Sequence, residues 1–447
     1  MHHGKVSDRT SLITITTALV AVFAIVVMAS QPVWGQNKVV ATYTLPDLPI
    51  REFENAIIAV NIPNDRKILL GSVGSDLWRR PSDPAGEFWM LTDRGPNGQI
   101  RVDGKNRRTF PIPEFNPVIL HGKLDNGTIR ILNKIPIVGQ SGKPITGMPN
   151  IEGFDEDPYD YSAQKKLSFN PNGIDSEGLV RTNSGEFWIA EEYSPSLLHL
   201  DRTGKVLKRY IPAGVDLKGT DYPIATVFPA IYSKRKINRG FEGLALSNDE
   251  KTLYITLQSP LMNPDKKTGD DSRNTRVLVF DIASEKVTAE YVYRFDIATE
   301  FDPRPKMKPD EMKISGVIYL NPKELLILER TDWVAKLYSV ELTKATNILG
   351  SRWNDPATAP TLEALEDPAK DEIQVLPKSL VLDLSTLKGM PDKIEGVAII
   401  DRQTIAVAND NDFDIDERGM DADGNNPAKG LKSQILVISL SRPLPLQ

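Results

Sequence analysis

A three-residue theme returns four times along the chain: Glu177-Gly178-Leu179, Glu242-Gly243-Leu244, Ser315-Gly316-Val317 and Glu395-Gly396-Val397. The steps between copies are 65, 73 and 80 residues. Each copy is followed by a turn and then by an apolar run with a polar ending: Glu191-Glu192, Gln258-Ser259, Glu329-Arg330 and Asn409-Asp410. That ending lies 14 residues beyond the start of the theme in three copies and 16 in the other. An earlier stretch, GSDLWRRPSDPAGEFWMLTDRG, makes a fifth copy. It aligns GEFWMLTD with GEFWIAEE and sets Asp93 opposite Glu192. Units that recur at such a period cannot bury their apolar faces alone and must pack against one another.

The units are built of strands. Runs such as TIRILNKIPI, TLYITLQS, TRVLVFDI, ELLILER and QILVISL are rich in β-branched and aromatic residues and are separated by Gly, Pro, Asn or Asp. Helical periodicity is scarce after residue 37, so the chain reads as all-β. Four strands per unit and a period near 70 predict a β-propeller of five to seven four-stranded blades. Five units can be counted, and the irregular segments 140–175 and 345–375 leave room for a sixth. The strand VVATYTLP near residue 40 is expected to pair with the C-terminal blade and close the ring, which removes exposed sheet edges. Residues 37–447 are expected to form one domain. The sequence has no cysteine, which excludes disulfides, thiol catalysis and zinc–thiolate sites.

Residues 1–35 differ in kind. Lys5 and Arg9 precede an apolar stretch from Leu12 to Ala29, and SQPVWGQ follows. The pattern predicts a secretory signal cleaved after Gly35 and export to the periplasm or the medium. The alternative is an uncleaved membrane anchor, since about 18 apolar residues can just span a bilayer. A net charge of -6 without any basic run argues against nucleic acid as a partner.

In a blade, the start of the first strand and the end of the second share one end of a hairpin. Radial equivalence would gather Asp76, Asp93, Glu177, Glu191, Glu192, Glu242, Glu329, Glu395, Asp410 and Asp412 at one mouth. So many carboxylates require compensation, and oxygen-only ligands favour calcium or magnesium over softer metals. Asp93, Glu191, Glu329, Asp410 and Asp412 are the candidate metal ligands. Glu177, Glu192, Glu242 and Glu395 are the candidate catalytic carboxylates. Arg94, Arg239, Lys313, Arg330 and Lys393 flank them and would bind phosphate oxygens of an anionic substrate. Salt bridges between blades are the structural alternative for each pair. The loop NDNDFDIDERGMDADGNN (409–426) carries half of a calcium-loop pattern without the glutamate that would complete it. No G-x-S-x-G elbow or phosphate-cradling glycine loop is present. His199, in SLLHLD, is expected to be structural, and His121 is the only other histidine beyond the N-terminal segment.

Taken together, TDRG, DSEGLV…GEFWIAEEYSPSLLHLDRTGKVLKRYIPAG, FEGLAL and KIEGVAI…VANDND resemble the phytase-like proteins, described as "esterase-like activity of phytase". The resemblance spans about residues 65–415. It implies an exported protein that hydrolyses phosphoesters or esters, with calcium held by carboxylates by looser analogy to propeller phytases. A propeller lactonase or other ester hydrolase and a non-catalytic binding propeller are the alternatives. Ser315 stands where the other full copies have Glu, which breaks a symmetric ring of acids.

Overall fold

Each copy of the repeat forms a four-stranded antiparallel unit, and a parallel bridge between Thr44 and Thr128 joins the first and last of these units into one eight-stranded sheet. The computed structural model describes residues 1–4, 35–53, 62–416 and 418–447. The first blade comprises Asp76–Trp78, Glu87–Leu91, Val118–Asp125 and Thr128–Pro136. The second comprises Ser176–Arg181, Phe187–Glu191, Ser196–Leu200 and Val206–Pro212, extended by a parallel strand at Ile224–Phe228. The third runs Phe241–Leu246, Thr252–Leu257, Asn274–Asp281 and Lys286–Arg294. The fourth runs Lys313–Asn321, Glu324–Arg330, Ala335–Glu341 and Lys378–Asp383. The fifth takes Ile394–Asp401, Thr404–Asn409 and Gln434–Ser439 from the C-terminus.

Its fourth strand is Lys38–Thr44, paired antiparallel with Gln434–Ser439 from Lys38↔Ser439 to Thr44↔Gln434. The predicted closure by the N-terminal strand is therefore present. The innermost strands touch in a closed cycle, first blade to second, and so on through the fifth back to the first. Segments 140–175 and 345–375 add no further four-stranded sheet. They form loops, short 3-10 turns and Pro158–Tyr159, which joins the hairpin Gly98–Val102/Lys105–Thr109 in a small three-stranded sheet. The expected leader or anchor falls largely on residues 5–34, outside the described residues. Among the described residues no helix is long and apolar enough to cross a membrane.

The core is divided by interface. One apolar cluster lies between each pair of adjacent blades, such as Trp188, Tyr210, Phe241, Leu253 and Phe280 between the second and third. Tyr293, Ile314, Ile327 and Val340 fill the next gap, and Leu328, Leu337, Val397 and Leu436 the one after it. Phe88, Met90, Ala406 and Ile435 join the fifth blade to the first, and Ile119, Leu179, Phe187 and Leu198 join the first to the second. Each fully buried side chain of this size contributes about 1.5–3 kcal/mol. These wedges hold the ring together without disulfides.

The glycine of the repeat explains how the inner strands converge. A Cβ on Gly178 would lie 2.5 Å from Glu242 O and 2.7 Å from Leu244 Cβ. On Gly243 it would meet Val317 N at 3.0 Å, and on Gly396 Gly74 O at 3.0 Å. Neighbouring backbones thus approach within the space a methyl group would need. In the first blade Asp76 takes this place, and its carboxylate accepts from Leu179 N at 2.8 Å and Leu77 N at 2.7 Å. Asp76 therefore ties two blades together beneath the mouth, not inside it as radial equivalence suggested. Burial raises its pKa to about 7.

Gly178→Ala is expected to destabilise the protein by about 1–3 kcal/mol through overpacking. Gly396→Ala, with looser contacts, should cost less. Thermal melts of both variants check the order, and an unchanged melting temperature for Gly178→Ala would contradict the packing described.

Candidate functional site

Side chains alternate across a strand, so of two consecutive residues at a strand end only one faces the mouth. At the end of each second strand the mouth-facing places are Asp93, Glu192, Ser259, Arg330 and Asp410. The residue before each turns into its blade, except Gln258 in the third, whose side chain bonds Glu242. Glu191 is fully buried and bound by Arg209 Nη2 at 2.7 Å and Ser196 Oγ at 2.7 Å. Glu329 is fully buried and bound by Lys378 Nζ at 2.6 Å, Asp296 N at 2.8 Å and the Tyr293 hydroxyl. Both were expected as metal ligands at the mouth, and both are instead committed to ion pairs inside the sheets.

In the acidic loop several carboxylates are likewise engaged by the chain itself. Asp414 caps three amides, accepting from Lys429 N, Gly430 N and Leu431 N at 3.0, 2.8 and 3.0 Å. Asp421 accepts from Asp423 N and Asn425 N, and Asp416 is held by Arg418. These carboxylates satisfy turn amides and an arginine, which leaves Asp410 and Asp412 as the loop's contribution to the mouth.

One half of the mouth is dense in acids. Asp93, Asp175 and Glu177 each place a carboxylate oxygen within 4.8 Å of the others, as do Glu177, Glu192 and Glu242. Glu177 belongs to both triplets. Arg94 Nη1 binds Asp175 Oδ2 at 2.8 Å and the Asn238 side chain, and its Nη2 donates to Asn97 Oδ1 at 3.2 Å. Among the described residues, three buried carboxylate oxygens here lack a well-aligned hydrogen bond: Asp175 Oδ1, Glu192 Oε1 and Glu242 Oε2. The side chain of Asp175 lies against Asp93, and that of Glu242 against Glu192 and Gln258. Leaving such a group unpaired in the interior costs several kcal/mol unless a proton or a cation compensates it.

The electrostatics follow. Burial, reinforced by neighbouring carboxylates, pushes Asp93, Glu177 and Glu192 well above the usual range. Burial raises Glu242 to about 8, with Glu395 adding and Arg330 opposing. Burial raises Asp175 to about 7 against the pull of Arg94.

The other half is mixed in sign. Arg330 donates through Nε to Ser315 Oγ at 2.7 Å and pairs with Glu395 and Asp332. Ser315 Oγ in turn donates to Glu242 Oε1 at 3.0 Å. The serine that breaks the acidic repeat thus stands beside the arginine that breaks the second-strand series, and the two changes compensate. Lys313 Nζ meets Asp332 Oδ1 at 2.6 Å. Burial and the adjacent Arg330 and Arg239 lower Lys313 to about 8. Lys393 pairs with Asp412, and Asp410 bonds Ser72 Oγ. Burial raises Asp410 well above its ordinary value, and Asp412 and Glu395 add to the effect. Arg239 Nη1 is bound by the Ser259 hydroxyl at 2.8 Å and by the carbonyl of Asp310 at 2.9 Å. Among these cations it is the one held by neutral groups.

The structure therefore brings Asp93, Glu177, Glu192, Glu242, Glu395, Asp410, Asp412, Arg94, Arg239, Lys313, Arg330 and Lys393 to one end of the ring. Sequence reasoning missed Asp175 and Asp332 as members of this set. Asp175 had a signal, because it sits two residues before Glu177 as Lys393 sits before Glu395 and Lys313 before Ser315. Both histidines lie elsewhere, each stacked on a tryptophan across a strand pair and bonded to a glutamate: His121 with Trp89 and Glu87, His199 with Trp188 and Glu186. At the opposite end of the ring a cavity of about 350 Å³ is lined by Leu77, Leu244, Val317 and Val397 and lacks an acid cluster.

Glu191→Ala is expected to cost about 3–5 kcal/mol, because it leaves the buried charge of Arg209 with neutral partners, Ser196, Gly173 and Tyr222, in place of a carboxylate. A chemical-denaturation series comparing it with Arg209→Met/Glu191→Leu checks this. Equal stability of Glu191→Ala and the wild type would place Glu191 outside the blade.

A relative from Arthroderma benhamiae, named "Uncharacterized secreted protein", is 28% identical over 305 residues, 58% of this chain and 59% of the relative. The chain thus matches about three-fifths of that relative's length. Among solved structures, a β-propeller domain from Myceliophteria thermophila is similar at 13% identity and a TM-score of 0.32, over 85% of this chain and 99% of that one. A luciferin-regenerating enzyme is similar at 10% identity and a TM-score of 0.33, over 85% and 97%. The family profile described as "Phytase-like: Esterase-like activity of phytase" matches residues 75–413, most of the ring and every mouth residue named above. The chain belongs to the phytase-like family.

Proposed function

We propose that the protein is an exported, calcium-dependent phosphoester hydrolase whose active site is the acidic mouth of the ring. The observation that carries this reading is the pair of carboxylate triplets with three buried oxygens that lack a well-aligned hydrogen bond. Calcium binds six to eight oxygens at about 2.3–2.6 Å, so ligands on opposite sides of one ion lie about 4.6–5.2 Å apart. In each triplet the three oxygens lie within 4.8 Å of one another, close enough to share such an ion. Family membership supports ester hydrolysis as the reaction class. The secreted relative and the basic-then-apolar N-terminus support export.

A bound divalent cation would supply charge neutralisation and polarisation at the phosphoryl group. The chain's own residues supply the rest. Arg239, held by neutral partners, has donors to offer phosphoryl oxygens. Lys313 adds a second positive charge below pH about 8. Arg330 is fixed in place by Glu395, Asp332 and Ser315. Asp410 lies outside both triplets and has its pKa raised, so it suits proton transfer from an attacking water.

Turnover of phytate and p-nitrophenyl phosphate, with lactones as the contrasting substrates, tests the reading with added calcium and with chelator. Chelator-sensitive phosphoester hydrolysis is expected, and lactone turnover alone would overturn it. Arg239→Ala should raise KM about 10–100-fold, as loss of a charge-assisted bond of about 1.5–3 kcal/mol implies. Asp410→Asn should lower kcat about 10²–10⁴-fold while leaving the calcium-induced rise in melting temperature intact.

The pH dependence has a definite sign. Folded pKa values of about 7 for Asp175 and about 8 for Glu242 exceed the unfolded ones, so the ion-free fold favours the neutral carboxyls. Their contribution to stability is present below pH about 4 and is lost as pH rises through about 7 to 8. Chelator-treated protein should therefore melt lower at pH about 9 than at pH about 6. Calcium at a hundredfold excess over Kd should restore about 2.7 kcal/mol. A flat ion-free profile in melts across this range would count against the assignment.

A further inference from the structure

We propose that the mouth holds two divalent cations per chain, with Glu177 shared between them. One ion would be bound by Asp93, Asp175 and Glu177, the other by Glu177, Glu192 and Glu242. The inference rests on the reading of the mouth as a cation site and adds its stoichiometry and the division of its ligands.

Three observations carry it. First, the five carboxylates form two triplets rather than one set. Oxygens within each triplet lie within 4.8 Å of one another, and Glu177 is the only member common to both. Second, the buried oxygens that lack a well-aligned hydrogen bond are distributed over both triplets. Asp175 Oδ1 belongs to the first and Glu192 Oε1 and Glu242 Oε2 to the second. Asp175 is 1% exposed, and Glu192 and Glu242 are 2% exposed, so solvent does not satisfy these atoms.

Third, the charges decide between one ion and two. Within the acidic half, five carboxylates have, among the described residues, one directly bonded guanidinium, that of Arg94 on Asp175. Four negative charges remain, which two divalent cations cancel and one does not. The other half needs no such compensation: Arg330, Lys313 and Lys393 are each paired with Glu395, Asp332 or Asp412. Burying two uncompensated carboxylates beside a single ion would carry a desolvation cost of several kcal/mol each. Two ions around one shared carboxylate are also the arrangement that clamps the attacking and leaving oxygens of a phosphoryl displacement.

The experiment is isothermal titration of the full chain, stripped with chelator, with calcium at pH about 8. The stoichiometry is checked by elemental analysis of the desalted complex. Two ions per chain are expected. Glu242→Gln should leave one ion, and Asp175→Asn should leave one. Glu177→Gln should weaken calcium binding at least tenfold at both positions, so that its effect exceeds that of either other variant. Circular dichroism melts of each variant establish that it is folded. A single ion in the wild type overturns the two-ion assignment and leaves the calcium-dependent hydrolase standing. No bound ion overturns both. Two ions retained in Glu242→Gln overturn the division of ligands.

Discussion

Everything at the mouth depends on how closely the five inner strands approach one another. The repeat glycines remove the one atom that would hold neighbouring backbones apart, as the 2.5 Å approach of a Gly178 Cβ to Glu242 O makes plain. The residue before each glycine is then forced to one crowded end of the ring. Where that residue is glutamate, in the second, third and fifth blades, carboxylates accumulate in a space with little solvent. Where it is Ser315, an arginine takes the neighbouring second-strand place. Packing at the axis thus sets the electrostatics at the mouth.

The consequence is a site with two characters. Asp93, Asp175, Glu177, Glu192 and Glu242 crowd together with, among the described residues, a single bonded arginine. Arg330, Lys313 and Lys393 lie opposite, balanced by their own carboxylates. Low dielectric magnifies both the repulsion in the first group and the attraction to any cation that enters it. It also makes Arg239, bound by a hydroxyl and a carbonyl, the cation freest to meet an anion. The ring thus sets a crowd of carboxylates beside an arginine held by neutral groups.

Much of this was legible in the sequence because it is periodic. Blade architecture, closure by the strand near residue 40 and the convergence of Glu177, Glu242 and Glu395 all follow from a repeat and the antiparallel pairing of a hairpin. Hidden from that reasoning was the parity of single positions. Glu191 and Glu192 are adjacent in sequence, yet one residue of strand rotation sends the first to Arg209 and the second to the mouth. Glu329 and Arg330 divide likewise. In the acidic loop composition alone does not separate the carboxylates that cap turn amides, such as Asp414, from Asp410 and Asp412, which reach the mouth. Asp76 was misplaced because a short carboxylate can substitute for glycine only by bonding the amides it crowds.

The central claim is that the crowded carboxyls hold protons in the absence of a cation and exchange them for it. Calorimetric titration of calcium at pH about 6.5 in buffers of different ionisation enthalpy measures this directly. The account predicts that protons are released as calcium binds, with the apparent enthalpy varying linearly with that of the buffer. Binding enthalpies independent of the buffer, or no calcium binding at all, would contradict it.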